Sequence, residues 1–227
     1  MKEKYKSGFA AIIGMPNVGK STLLNKIAGQ KIAIISEKPQ TTRNKILAIH
    51  TTDTEQIIFT DTPGIHKPHN KLGEFMVNAA NETMRDVDVL LFVIDATRPI
   101  QDVEREIVKN IAKTGLPCIL VMNKVDLVEK SNLLPMIADY SSMYDFESIV
   151  PMSAKSGDGV DVLLNDIKNY IPEGPQFYDE DMITDQPEKQ IAAEIIREKM
   201  LWLLDKEIPH GIAIEITKMQ EKEKVTN

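Results

Sequence analysis

The octapeptide Gly14-Met15-Pro16-Asn17-Val18-Gly19-Lys20-Ser21 restricts the fold more than any other part of the chain. It follows the apolar run Phe9–Ile13 and precedes an amphipathic stretch, Lys20–Ala28, so it predicts a strand, a glycine turn and a helix in immediate succession. Glycines at 14 and 19 let the backbone curl until successive N–H groups converge at a helix N-terminus as an anion nest. A phosphate chain suits such a nest. Lys20 is the candidate to reach the β- and γ-phosphates and the Ser21 hydroxyl the candidate Mg²⁺ ligand, with Asn17, Val18, Gly19 and Thr22 completing the cradle.

The remaining pattern agrees with an α/β chain of the P-loop NTPase class, a mostly parallel sheet flanked by helices. Strands are expected at Phe9–Ile13, Lys45–His50, Gln56–Thr60, Val89–Ile94, Cys118–Met122 and Ser148–Pro151. Helices are expected at Lys20–Ala28, Lys71–Arg85, Asp102–Thr114, Leu133–Tyr144 and Val160–Tyr170. Polar turns follow most of these strands, which is where open α/β sheets hold their ligands.

Three such turns carry chemistry. Asp61-Thr62-Pro63-Gly64 places an acid near the metal and a Gly64 N–H near a γ-phosphate. Asn123-Lys124-Val125-Asp126 selects the base. The Asp126 carboxylate can accept both the N1–H and the 2-amino group of guanine, a donor pair that adenine lacks. Lys124 can lay its stem along the base, and Asn123 can tie this turn to the P-loop. In Ser153-Ala154-Lys155 a backbone N–H can reach the guanine O6. Between Ile34 and Arg43, a threonine hydroxyl can complete the Mg²⁺ shell only when a γ-phosphate is present. Thr42 is the candidate, with Thr41 the alternate. The metal set is thus Ser21, Thr42 and Asp61, and the ligand GTP or GDP.

Composition narrows the setting. The chain has 227 residues with 27 Lys plus Arg against 34 Asp plus Glu, a net charge of −7, so it is no basic nucleic-acid coat, and DNA is not an expected partner. A single cysteine, Cys118, excludes a disulfide framework and fits a reducing, cytoplasmic setting. No apolar stretch approaches the roughly 20 residues of a membrane span. Lys2, Lys4 and Lys6 allow at most a weak peripheral contact with the inner face of a membrane.

After Ile171 the texture changes. Residues 172–184, opening with Pro172-Glu173-Gly174-Pro175, read as a linker. Glu188–Asp205 then reads as a helix with Ala192, Ile195, Ile196, Trp202 and Leu203 on one face, and Gly211–Ile216 as a half-buried strand.

Taken together, Gly14–Thr22, Gln40–Arg43, Asp61–His66, Asn123–Asp126 and Ser153–Lys155 resemble the motifs of translation-factor-related GTPases. With Asp185, Ala193–Lys199, Glu207-Ile208-Pro209 and Ile212–Ile216, the chain resembles the Era family of ribosome-assembly GTPases, whose C-terminal KH domain binds RNA. The resemblance implies a G domain at residues 1–171, a linker at 172–184 and the N-terminal part of an α+β KH-type domain at 185–227. It implies GTP hydrolysis to GDP with Mg²⁺, acting as a switch in small-subunit maturation, with the 16S rRNA 3′ end and the small ribosomal subunit as partners. The chain has no Gly-x-x-Gly after Gly211, so the expectation is a chain truncated within the KH domain, with RNA binding weakened or lost.

The resemblance also shapes the hydrolysis step. Where many small GTPases carry a glutamine after Asp-Thr-x-Gly, this chain has Ile65, which cannot orient water. Relatives with an asparagine at the place of Asn17 use it to bind K⁺, so Asn17 joins Lys20, Thr42 and Gly64 as a catalytic candidate. His66, alone in a loop, reads as solvent-facing. Alternatives of other kinds are a slow nucleotide-dependent binding module and the G domain of a tRNA-modification-type GTPase.

Overall fold

A computed structural model describes residues 4–35, 46–61, 87–203 and 213–219. Six strands form one sheet: β1 (Lys6–Ile13), β2 (Ile46–Thr51), β3 (Glu55–Asp61), β4 (Val89–Asp95), β5 (Cys118–Asn123) and β6 (Ser148–Pro151). Their spatial order is β2-β3-β1-β4-β5-β6. Only β2 runs antiparallel to its neighbour.

The described helices are α1 (Lys20–Ile27), α2 (Asp102–Thr114), α3 (Lys130–Met143), α4 (Val160–Ile167) and α5 (Glu188–Leu203). Both faces of the sheet are covered, so its central strands are apolar throughout, and all seven residues of β4 are buried. Ala10, Ile12, Leu91 and Val93 face a core completed by Leu23 and Leu24 of α1 and Leu163 and Ile167 of α4. Ala11, Ile13, Phe92 and Ile94 face the other core, with Ile107 and Ile111 of α2 and Tyr140 of α3. The period-2 alternation of strand side chains sends successive residues to these opposite cores.

Several expectations are adjusted. β1 starts at Lys6 because Lys6 and Ser7 pair with Glu55 and Gln56 through their backbones. α3 begins at Lys130 and carries Pro135 within it, at an exposed position. α4 ends at Ile167, short of Tyr170. The expected strand Gly211–Ile216 is corrected: Ala213–Met219 forms no strand, although Ile214 and Ile216 are half-buried in alternation with exposed neighbours. Among the described residues no strand lies beside it, and a strand without a ladder has no fixed hydrogen bonds. The expected helix Lys71–Arg85 lies outside the described residues.

The stretch 172–184 has no helix or strand, yet it is fastened to the sheet. The Ser7 N–H donates to the Pro172 carbonyl at 3.0 Å and the Gly174 N–H to the Tyr5 carbonyl at 3.0 Å. The buried Gln56 amide accepts the Phe177 and Tyr178 N–H groups at 2.8 and 3.0 Å and donates to the Tyr178 carbonyl at 3.0 Å. The Phe177 ring lies 5.1 Å from that of Phe9. Lys4 pairs with Glu173 at 2.8 Å, and the Lys6 ammonium donates to the Lys168 carbonyl at 2.6 Å, so both described N-terminal lysines have protein partners.

The face that α5 buries also differs from the apolar one expected. Arg197, Glu198 and Leu201 are buried, whereas Ile196 is 44% and Leu203 83% exposed. Charged groups can occupy the inner face because they are paired: Arg197 with Glu194, and Glu198 with Lys31. Among the described residues, no helix is long and apolar enough to cross a membrane.

Candidate nucleotide site

Parallel register brings the chemistry-bearing turns to one end of the sheet. Asp61, the last residue of β3, is level with Ile12 of β1, and Asp95 at the end of β4 is level with Asn123 at the end of β5. The loop Gly14–Gly19 leaves β1 at this same end and feeds α1.

Two glycines are fixed there by space as well as by conformation. Gly14 has φ +151° and Gly19 φ +101°. A Cβ at Gly14 would lie 2.3 Å from the Val93 carbonyl oxygen, and one at Gly19 2.1 Å from the Asn123 amide nitrogen. The loop therefore packs against β4 and β5 at distances that only glycine permits. Asn17 is left-handed as well, with φ +64°. Lys20 is only 7% exposed, and its ammonium donates to the Met15 and Gly14 carbonyls at 2.8 and 3.1 Å. It is held over the loop it belongs to, the position from which a phosphate oxygen can replace a carbonyl partner. Ser21 and Thr22 follow in the first turn of α1, both half-buried.

Asn123 links three segments. Its Nδ2 donates to the Val18 carbonyl at 2.7 Å, and its Oδ1 accepts the Ala154 N–H at 2.9 Å. A buried carboxamide with both ends satisfied fixes the P-loop, β5 and the Ser153–Lys155 turn as one rigid group. A base that used the Ala154 N–H would share it with Asn123. Ser153 and Ala154 are buried, whereas Lys155 and Asp126 are exposed, so the Asp126 carboxylate is open to a base edge.

Lys124 also has a left-handed backbone, φ +67°, and its ammonium donates to Asp95 Oδ2 at 2.6 Å and to the Asn17 carbonyl at 2.9 Å. Its head is thereby pinned and its stem stretched along the site. Asp95 was not among the candidates from sequence. The signal available was an acid ending the apolar run Val89–Ile94. Burial pushes its carboxyl up, but hydrogen bonds from Lys124 and Thr97 outweigh this and hold it below the usual 3.8.

Among the described residues, no group of three or more His, Cys, Asp or Glu side chains is placed to hold a metal. A Mg²⁺ that keeps several waters takes hydroxyl oxygens together with phosphate and carboxylate oxygens. Ser21 supplies such a hydroxyl beside the glycine cradle. Thr41, Thr42, Gly64, Ile65 and His66 lie outside the described residues, as does the side chain of Asp61.

A glycine nest facing a helix N-terminus, a pinned P-loop lysine and a base-reading turn at the ends of a parallel sheet define a P-loop GTPase, an enzyme that hydrolyses GTP. The family described as 50S ribosome-binding GTPase matches residues 9–124. The chain is 56% identical to the GTPase Era of Ruminiclostridium cellulolyticum over 221 residues, which is 96% of this chain and 74% of that protein. It is 52% identical to the GTPase Era of Clostridioides difficile, with the same shares covered. It belongs to the Era family of GTPases.

Solved structures agree. A crystal structure of Era in complex with MgGDPNP and nucleotides 1506–1542 of 16S ribosomal RNA has a TM-score of 0.90 and 43% identity, covering 96% of this chain and 74% of that one. A point variant of Aquifex aeolicus Era bound to GDP and AlF4⁻ superposes with the same TM-score, identity and coverage. Similarity to a bacterial selenocysteine-specific elongation factor, at 22% identity and a TM-score of 0.58, shows the shared fold alone.

Proposed function

We propose that this chain cycles between GTP and GDP with Mg²⁺ and uses the cycle as a switch in maturation of the small ribosomal subunit, with the 3′ end of 16S rRNA as its nucleic-acid partner. The observation that carries the nucleotide reading is the fastening of the P-loop to both base-side turns through Asn123. In this reading the backbone of Asn17 to Ser21 and Thr22 cradles the phosphates, and Lys20 neutralises their charge. Ser21, Thr42 and Asp61 would hold a Mg²⁺, which when bound would supply charge compensation to the phosphates. Gly64 meets the γ-phosphate. Asn123, Lys124, Asp126 and the Ser153–Lys155 turn hold the guanine.

The division into a G domain at 1–171, a linker at 172–184 and the start of a KH-type domain at 185–227 belongs to the same proposal, as does a cytoplasmic location with at most peripheral membrane contact. The RNA partner is supported by the relative whose structure holds a 16S segment. Because no Gly-x-x-Gly follows Gly211, residues 1–227 should bind that RNA weakly. An electrophoretic shift showing tight binding would overturn this point.

Asn17 is proposed to hold a K⁺ that stands in for an arginine finger, since Ile65 cannot orient water. Its support is that Asn17 is exposed with a left-handed backbone, its carbonyl tied to Lys124. Turnover measured in K⁺ and in Na⁺ buffer decides it, and equal rates rule it out. Calorimetry with GDP, GTP and ATP tests the whole reading. Guanine nucleotides should bind and ATP should not; equal binding of all three refutes the site.

A further inference from the structure

The end of the sheet away from the nucleotide also carries a cavity. A cleft of about 270 Å³ opens there, lined by Lys4, Lys6, Thr54, Glu55, Asn165 and Lys168 among others. Lys6 and Glu55 are the first residues of β1 and β3, and Lys168 follows the last residue of α4. The eight residues of β1 set this cleft roughly 25 Å from the P-loop.

In a chain of net charge −7, three ammonium groups converge on the cleft. Two of them are balanced. Lys168 pairs with Glu55 at 2.7 Å, and Lys4 pairs with Glu173 at 2.8 Å. Glu55 is only 3% exposed. Burial pushes its carboxyl up, but hydrogen bonds from Lys168, Thr54 and Thr52 outweigh this and hold it below the usual 4.5, so it stays charged and occupies Lys168. Lys6 is different. Half-buried, it donates to the Lys168 carbonyl at 2.6 Å, and among the described residues no carboxylate pairs with it. A carbonyl satisfies one of three ammonium donors and neutralises none of the charge. The cleft therefore holds more positive than negative charge, with the exposed amide of Asn165 at its rim.

We propose that this cleft binds the phosphate group of a small phosphorylated molecule, with Lys6 and Lys4 as its charge partners and Asn165 donating from the rim. Size and surroundings favour a small ligand over a polymer. The volume lies just below the roughly 300–1,000 Å³ of pockets that take drug-sized ligands. A nucleic-acid strand or an anionic membrane calls for an extended basic track. Here acids interrupt the lysines: Asp53 beside Thr54, Asp161 one turn before Asn165 on α4, and Glu173 are all exposed. The proposal stands apart from the nucleotide reading, because no residue of the cleft belongs to the P-loop or to the base-side turns.

The test follows backbone amide shifts of the full 227-residue chain, loaded with GDP and Mg²⁺, as inorganic phosphate replaces chloride at constant ionic strength. Amides of Lys6, Thr54, Glu55 and Lys168 should shift and saturate, while those of Gly19 and Lys20 stay fixed. Lys6→Met should weaken phosphate binding at least about fivefold. Asn165→Asp should weaken it and Asn165→Lys strengthen it, each about two- to threefold. All three variants should keep GDP affinity within about twofold of wild type, since the two sites share no partners. If Lys6→Met does not fold, the two exchanges at exposed Asn165 decide alone. Shifts that rise without saturating, that fall on Gly19 and Lys20 in place of the cleft, or that ignore the charge placed at position 165 overturn the proposal. So does a cleft that responds to oligouridylate or to phosphatidylglycerol vesicles but not to inorganic phosphate, because its ligand is then a strand or a membrane.

Discussion

The side-chain amide of Asn123, at the end of the fifth strand, donates to the backbone carbonyl of Val18 in the P-loop at 2.7 Å, across 105 residues of sequence. Its other end accepts the Ala154 N–H, so one buried residue sets the distance between the phosphate and base halves of the site. Replacing Asn123 by Ala leaves a carbonyl and an N–H without these partners in a buried place, at a cost of about 1–3 kcal/mol each. Calorimetry should show GDP and GTP affinity falling at least about tenfold. The unfolding midpoint should fall with it, and unchanged affinity would show that the turns hold their spacing without this bridge.

Asp126 is exposed at the site mouth while Asn123, three residues before it, is buried. The first therefore answers to the ligand and the second to the fold. Asp126→Asn should leave stability unchanged and cost two charge-assisted hydrogen bonds to guanine, roughly a hundredfold in affinity. Xanthine nucleotides should gain, because a carboxamide can donate to their 2-oxo group. Competition between GDP and xanthosine diphosphate checks this, and a variant that still prefers GDP refutes the pairing assigned to Asp126.

The sheet was legible because its strands are buried on both faces and so appear as apolar runs bounded by polar turns, with β4 the clearest case. The phosphate and base motifs were legible because each packs its chemistry into four to eight consecutive residues. What escaped notice depends on residues far apart. Asp95 reads as a mere interruption of an apolar run until the register sets it level with Asn123, within reach of Lys124. Glu198 reads as the polar side of a helix, since nothing local shows that Lys31 and Ile35 await it. The stretch 172–184 reads as a loose linker because its ties to Gln56 and Ser7 run through its backbone groups, which leave no trace in side-chain pattern, and side-chain contacts such as those with Lys4 and Phe9 reach residues more than 160 positions away.

The acid side of the stability profile should carry the signature of Asp95. Its carboxyl titrates below 3.8 in the folded chain, although burial alone would raise it, because Lys124 and Thr97 donate to its charged form. A lowered folded pKa means that its contribution is present above the unfolded value, near 3.8, and is lost as pH falls from there through the folded value. Asp95→Asn should therefore destabilise the chain at about pH 7 and much less at about pH 3. Urea midpoints for the two proteins at both pH values measure the difference. A gap that stays constant would mean that Asp95 contributes through shape and not through charge. The same variant frees Lys124 from its anchor, so GDP affinity should fall at neutral pH.

Gly19 and Gly29 bracket α1 and allow space to be separated from backbone strain. Both have positive φ, +101° and +68°. A Cβ at Gly29 meets nothing within 4 Å, whereas at Gly19 it would sit 2.1 Å from the Asn123 amide nitrogen. Gly29→Ala incurs only left-handed strain of about 1–2 kcal/mol, partly offset by a less flexible unfolded chain, so its stability loss should be about 1 kcal/mol or less. Nucleotide binding should be unaffected. Gly19→Ala adds a clash that must push Asn123 off the Val18 carbonyl, so the loss at this position should reach the affinity as well as the stability, and GDP binding should drop at least about tenfold. Thermal unfolding and GDP titration of both variants give the comparison. Equal effects at the two glycines would mean that the cradle yields at Gly19, and the close packing of Asn123 against the loop would then have no role in binding.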